Sequence, residues 1–456
     1  MLTSRSAFID RRTPVATYNA VPVGPPKERM TQPHSPSLWA RTASPDVNAT
    51  RLEGTVAADV AIVGAGFTGC AAALALALRG LRVRLIEANS VGWGASGRSG
   101  GQVIPGLKYD PDEIEALFGP ELGPRMVQAV GSVGDEVFGL IERHAIDCDA
   151  IRKGWLQPAV SARTLGIVER RCAQWQRRGA PVVAVDRARM AHLVGSDAYL
   201  GGWEDLRAGN VQPLSYVRGI AAAAQRAGAV IHIDSPAVSL QRHGSSWRLS
   251  TPAGVVESPQ VLLATIGYTD GLWPGLARTV VPVISFQAAT IPLSDASGKD
   301  ILPEGHAASD TRRLLWYFRR DAHGRLIMGG RGPFRDDLGP DDARHVRAAV
   351  DRLYPQLRKT PFEFHWSGRV AMTQDHIPHL HRLDDGLWAA LGYNGRGVGL
   401  ATLLGRTMAE LAAGARPGDI PFPVTAMHPI RGYPFTRLAV RVLSRYYRIR
   451  DQLEAA

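Results

Sequence analysis

Three glycines carry the sharpest chemical signal in this chain. Gly64-Ala65-Gly66-Phe67-Thr68-Gly69 follows the apolar run Val60–Val63 and precedes another from Cys70 to Arg79. Gly64 permits a tight turn, Gly66 lets a pyrophosphate approach the backbone, and Gly69 lets a helix pack closely on a strand. The first amides of such a helix offer donors and a positive dipole end to phosphates. Glu87, with Ala88 beside it, closes the next apolar run and is placed to accept hydrogen bonds from ribose hydroxyls. Its charge repels a 2′-phosphate, which argues against NADP and leaves FAD and NAD open. A second loop, Val91 to Gln102, brings Ser96, Gly97, Arg98, Ser99, Gly100, Gly101 and Gln102 directly after that acid. It reads as backbone passing close to a flat ring; an ordinary doubly wound NAD enzyme has a crossover helix there. A third glycine loop, Gly395-Arg396-Gly397-Val398, aims another helix N-terminus at an electron-rich group.

These loops need strands before them and helices after them. The pattern predicts strands at Asp59–Val63, Leu81–Ile86 and Leu387–Gly392, and helices at Cys70–Arg79 and Val398–Ala412. Val60 to Leu78 is an uncharged run of nineteen residues. Its three glycines make it a buried strand and helix rather than a membrane span. Thr279–Ala289, Leu314–Arg319 and Leu326–Gly330 read as strands of a mainly antiparallel sheet. Pro124–His144 and Ala343–Leu353 read as helices packed outside it.

Composition sets the outer limits. The 456 residues are 45% hydrophobic and 21% charged, a globular balance with room for two or three domains. Net charge is +11, but only five of the 53 cations are lysines, and no nucleic-acid-binding module accompanies them. The basic balance reads as a solvated surface. Cys70, Cys148 and Cys172 lie far apart, so neither a disulfide framework nor a zinc ribbon is expected, and a reducing, cytoplasmic setting fits. His376, His379 and His381 do not share one face of an extended chain, so no metal is expected. The N-terminal stretch lacks the apolar core of a secretory leader.

Taken in order, the motifs resemble the D-amino-acid-oxidase-type FAD-dependent oxidoreductases, in particular their gamma-glutamylputrescine oxidase-like branch. The resemblance runs from the fingerprint and GWGASGRSGGQV through Val261–Tyr268, Arg325–Arg331, Trp366–Arg369 with Thr373, Asp375 and Pro378, to Gly392–Gly399. It implies noncovalent FAD, contacted also at Val238, Ala264, Thr265, Gly267, Tyr268 and Arg369. It implies an α/β fold: a Rossmann-type FAD-binding domain with a parallel central sheet, plus an α+β substrate domain built on a mainly antiparallel sheet. The expected division is a 1–54 irregular arm, FAD-domain parts at 55–110, 205–275 and 366–430, substrate-domain parts at 111–204 and 276–365, and a basic C-terminal helix at 431–456.

The chemistry implied is oxidation of a C–N bond in an amine or amino acid. Hydride passes to flavin N5, the imine hydrolyses, and oxygen or another acceptor takes the electrons. A dehydrogenase feeding a quinone or carrier is the alternative, and a flavin-binding protein without turnover a third. Such hydride transfer needs placement rather than a dedicated base, so no catalytic residue is assigned. Arg369, which matches the family's Gly-x-Arg region, is the first candidate for a substrate carboxylate, and Arg331 a lesser one. Trp316 and Tyr317 are candidate pocket walls. At the C-terminus Arg437, Arg441, Arg445 and Arg448 share one helical face beside Leu438, Val442, Leu443, Tyr446 and Ile449. Docking of the apolar side on the protein is expected, with peripheral membrane contact the less favoured reading.

Overall fold

The fingerprint strand organises the molecule. In the computed structural model, which describes residues 32–333 and 338–454, Val60–Val63 is buried on both faces. It lies at the interior of a seven-stranded sheet. Val83–Ile86 and then Val230–His232 pair on one side, and Gln260–Leu263, Leu387–Leu391, His379–Asp384 and Val424–Thr425 follow on the other. The five strands from Val230–His232 to Leu387–Leu391 run parallel, and His379–Asp384 turns back antiparallel. Burial on both faces is what a parallel sheet demands, and explains why central strands such as Val60–Val63 and Leu387–Leu391 are continuous apolar runs.

Helix Phe67–Ala77 has only one residue short of full burial, so the uncharged stretch is a core strand and helix, as its glycines predicted. Helices Pro213–Arg226 and Gly397–Ala412 flank it in one layer. The latter crosses so closely that a Cβ on Gly405 would stand 2.4 Å from the Thr68 carbonyl oxygen. A small four-stranded sheet of Gly54–Ala57, Gly254–Ser258, Ser246–Ser250 and Ser239–His243 covers the opposite side.

The second large sheet has eight strands, all antiparallel neighbours except Ala307–Ser309 beside Trp155–Pro158. At its heart Val281–Thr290 lies between Leu326–Arg331 and Phe362–Met372. One face packs on helix Arg344–Leu353 through Phe286, Met328, Phe318, Val346 and Val350. The other face looks toward the FAD-type domain.

Four expectations need correction. Residues 1–31 of the expected arm lie outside the described residues; the rest is irregular chain to Glu53 apart from one short helix, Leu38–Thr42, whose Leu38 and Trp39 are buried in the main core, and Gly54–Ala57 then begins the sheets. The helical segment expected at Pro124–His144 is longer and divided: Pro111–Gly131, kinked at Gly119, is followed after Ser132 by Val133–His144. Its apolar residues join the main core, where Val133 packs against Gly399 of helix Gly397–Ala412. Residues 366–372 belong to the antiparallel sheet, so the chain returns to the first domain only after Met372. The C-terminal helix, Thr436–Glu454, is tied down at its far end, where Arg313 bonds Asp451 and Glu454, while Leu438, Val442, Tyr446 and Ile449 stay exposed.

Candidate cofactor and substrate site

The fingerprint loop is built as its spacing requires. Gly64 sits at φ +105°, and a Cβ there would meet the Ala264 carbonyl oxygen at 2.9 Å. A Cβ on Gly69 would stand 1.9 Å from the Gly64 carbonyl oxygen, so strand and helix can close only without side chains. Phe67 and Thr68 contribute backbone alone: Phe67 packs on Tyr216 and Thr68 Oγ1 bonds the Tyr393 hydroxyl at 2.8 Å. Ala65 N donates to Glu87 Oε2 at 2.8 Å and Asn89 N to Oε1 at 3.0 Å. Glu87 is thereby fixed at the strand end beside Ala88. Burial raises its pKa, and the amides of Ala65, Asn89 and Ala88 pull it back.

The second loop meets the first through Ser96, whose Oγ accepts from Phe67 N at 2.9 Å and would lie 2.9 Å from a Cβ on Gly66. Beyond it, the loop is pinned carbonyl by carbonyl. The Arg98 oxygen accepts from Gln287 Nε2 at 2.7 Å and Trp366 Nε1 at 3.2 Å. The Ser99 oxygen accepts from Trp39 Nε1 at 2.8 Å and the Gly100 oxygen from Arg319 Nε at 2.9 Å. Gly97 leaves no room for a side chain, its Cβ position being 2.3 Å from the Gly92 oxygen, and Gly101 turns at φ +71°. Gln102 bonds Ala308 and Ser309.

Arg319 is the residue that reading by motif missed. It is 3% exposed, and besides Gly100 it donates to Asn210 Oδ1 at 2.5 Å and the Val211 oxygen at 2.7 Å. Burial lowers its pKa to about 10. The available signal was an arginine inside a strand that otherwise alternates toward a core. Trp39 and Gln287 were missed for the same reason: each acts on backbone, and no motif marks such donors.

The remaining expected contacts divide. Ala264 is buried beside Gly64, with Thr265 and Gly267 in the following turn. Tyr268 meets Trp93 edge-on at 5.4 Å and lies under the Arg369 guanidinium at 5.1 Å. Arg98 covers the Trp93 ring at 4.6 Å. Val238 donates its amide to the Ser250 oxygen at the edge of the small sheet. Gly395 turns at φ +89° with open space around it, and Gly397 and Val398 start the helix Gly397–Ala412, which no side chain caps. Arg396 points elsewhere, bonding the Pro105 carbonyl and covering Trp155. Desolvation lowers Arg396 to about 9 and Lys108 to about 8.

Facing the second loop is a polar patch on the antiparallel sheet. Ser285 pairs with Arg331, and Gln287 and Tyr317 both pair with Gly329, so all share one face. The Tyr317 hydroxyl bonds Ser285 Oγ, and its ring would lie 3.2 Å from a Cβ on Gly100. Burial pushes the phenol pKa up. Arg331 is lowered to about 10 by burial. Arg369 is not on this face. Gly368, opposite Ser285, faces the second loop with its Cβ position 3.0 Å from Arg98 Cβ, so strand alternation turns Arg369 away toward Tyr268. Trp316 is stacked under Arg312 at 3.8 Å and packs on the second core, away from Tyr317.

These residues fit a flavin dinucleotide. Glycine cradles stand where a phosphate must approach, a fixed acid stands at the strand end, and Gln287 Oε1 is a buried acceptor without a hydrogen bond among the described residues. The histidines do not assemble: His379 bonds Asp375, His381 is buried against the Thr425 oxygen, and His376 turns at φ +57°. No group of three or more potential metal ligands occurs among the described residues.

Comparison with known proteins agrees with this geometry. Residues 59–411 match the family described as FAD dependent oxidoreductase (DAO). The chain is 34% identical over 369 residues to the probable oxidoreductase OrdL of Rhizobium meliloti, covering 80% of this chain and 85% of that protein. It is 31% identical over 428 residues to gamma-glutamylputrescine oxidoreductase of Escherichia coli, covering 92% and 99%. The crystal structure of glycine oxidase from Geobacillus kaustophilus superposes with a TM-score of 0.68 at 22% identity, covering 81% and 98%. The chain belongs to the DAO family of FAD-dependent oxidoreductases and is an enzyme of the amine and amino-acid oxidising type.

Proposed function

We propose that this enzyme oxidises the C–N bond of an amine carrying a carboxylate or acyl group, with gamma-glutamylputrescine-like compounds first among substrates and oxygen as acceptor. The observation that carries the reading is the single face shared by Ser285, Gln287, Tyr317 and Arg331 opposite Gly100. Noncovalent FAD fits beside it, since burial raises the pKa of all three cysteines and leaves each a poor nucleophile. Bound FAD supplies the hydride acceptor for the C–H bond next to nitrogen. The planar fork of Arg331 suits a carboxylate, while Tyr317 and Ser285 orient the chain between carboxylate and amine. The near-complete coverage of the Escherichia coli relative supports the substrate class.

The test is an anaerobic titration of the purified flavoprotein with polyamines, gamma-glutamylated amines, and N-methyl, L- and D-amino acids. Bleaching by a gamma-glutamylated amine is expected, with colour returning promptly on admitting air. Bleaching only by simple amino acids would refute the substrate class, and slow return would favour a dehydrogenase. Arg331→Met should raise KM at least about tenfold with kcat little changed, the signature of lost uniform binding. An unchanged KM would remove Arg331 from the site.

A further inference from the structure

We propose that the C-terminal helix Thr436–Glu454 adsorbs reversibly onto an anionic lipid surface, apolar stripe inward and arginines toward the headgroups. The helix is amphipathic, but its apolar stripe faces away from the protein. Leu438, Val442, Tyr446 and Ile449 recur at helical spacing and are 61%, 62%, 50% and 56% exposed. Phe435, just before the helix, is 71% exposed and extends the stripe. Arg441, Arg445 and Arg448 form a second exposed row directly beside it. The acids are sorted to the opposite side. Asp451 accepts from Arg313 N at 3.1 Å and Leu314 N at 2.9 Å, and Glu454 accepts from Arg313 Nη2 at 2.6 Å. Those bonds fix the helix to the loop before Tyr317–Arg320 and set which face looks outward.

Charge selects the occupant. An apolar stripe flanked by arginines matches the boundary between acyl chains and anionic headgroups, and aromatic residues such as Phe435 and Tyr446 favour that depth. Residues 1–31 carry five cations against two acids, so their net charge has the same sign as the arginine row and does not complement it. A second copy pairing antiparallel through this stripe would set its arginines against the first copy's. No helix among the described residues is long and apolar enough to cross a membrane, so the contact is peripheral.

The full chain with FAD bound should co-sediment with vesicles of equal parts phosphatidylcholine and phosphatidylglycerol, far more than with phosphatidylcholine alone, and release in high salt. Val442→Glu with Ile449→Glu should abolish binding. Arg441→Glu with Arg445→Glu should lower partitioning at least about tenfold, given the contribution of each cation near such a surface. Arg441→Lys with Arg445→Lys should retain it, and this pair with the salt dependence decides the matter even if a glutamate variant misfolds. Equal binding to neutral vesicles, no binding, or binding untouched by these changes would overturn the proposal. So would a dimer, seen by light scattering, that Val442→Glu dissociates in a protein that ignores vesicles.

Discussion

Removing the Arg319 guanidinium should loosen the flavin loop more than it harms the fold. Three hydrogen bonds leave this one group, to Gly100, Asn210 and Val211, all at 2.9 Å or less. Bonds from a charged donor contribute about 1.5–3 kcal/mol each, so the gross loss in Arg319→Ala is on the order of 5–9 kcal/mol. Against this stands the cost of burying the cation. Its pKa is lowered from 12.5 to about 10, a desolvation cost of roughly 3 kcal/mol that the variant escapes. The net loss centres near about 4 kcal/mol. If half of it is felt only when the loop must hold its bound shape, FAD affinity falls on the order of thirtyfold. Titrating apoprotein with FAD by flavin fluorescence reads that change directly. Arg319→Lys keeps the charge but cannot reach three acceptors in one plane, so it should restore only a small part. An FAD affinity within about threefold of the parent in Arg319→Ala, a change of only about 0.6 kcal/mol, would refute the clamp.

Gly69→Ala places a methyl carbon 1.9 Å from the Gly64 oxygen and should abolish flavin retention on gel filtration. Gly80→Ala, at φ +78° with open space around it, should cost about 1 kcal/mol of stability and leave the flavin in place. Glu87→Gln keeps one acceptor oxygen where two amides now bond, and should weaken FAD at least about tenfold by the same fluorescence titration. His381 is buried, and desolvation lowers its pKa to about 4. The unfolded histidine therefore binds the extra proton between pH 6.5 and 4, stability rises with pH across that window, and about 2 kcal/mol is lost by pH 5. Urea midpoints at pH 7 and pH 5 should show that loss in the parent and a smaller one in His381→Asn. Equal losses would place the acid sensitivity elsewhere.

The FAD-type domain was legible because local chemistry forces its signature. Close approach at Gly64, Gly66 and Gly69 excludes side chains, and burial on both faces of Val60–Val63 excludes charge. The sheet pairings and the split of the chain between two domains were less so, since Phe362–Met372 runs unbroken through the expected boundary at 365/366. Arg369 lies on the opposite strand face from Ser285, Gln287, Tyr317 and Arg331, beside Tyr268. Adjacent residues in a strand face opposite ways, and nothing in one sequence says which of Gly368, Arg369 or Val370 looks inward. The C-terminal helix had an amphipathic pattern, which fixes an axis of polarity but not which side meets the protein. Arg313, more than a hundred residues away, settled that through Asp451 and Glu454.

The pinned loop ties the antiparallel sheet to the glycine-rich domain through its carbonyls. A trans peptide points its carbonyl and its following amide hydrogen in opposite directions. With the oxygens of Arg98, Ser99 and Gly100 each held by Gln287, Trp366, Trp39 or Arg319, the amides of Ser99, Gly100 and Gly101 are turned away from those donors. Amides held that way suit an electron-rich ring, because their orientation is fixed before the ring arrives and costs little at binding. The donors come from the antiparallel sheet and from the short helix near the N-terminus, neither of which carries the glycine fingerprint. Cofactor affinity is therefore expected to depend on packing of the antiparallel sheet as well as on the nucleotide fold. A flavin titration of any variant in that sheet tests the junction as well as the pocket.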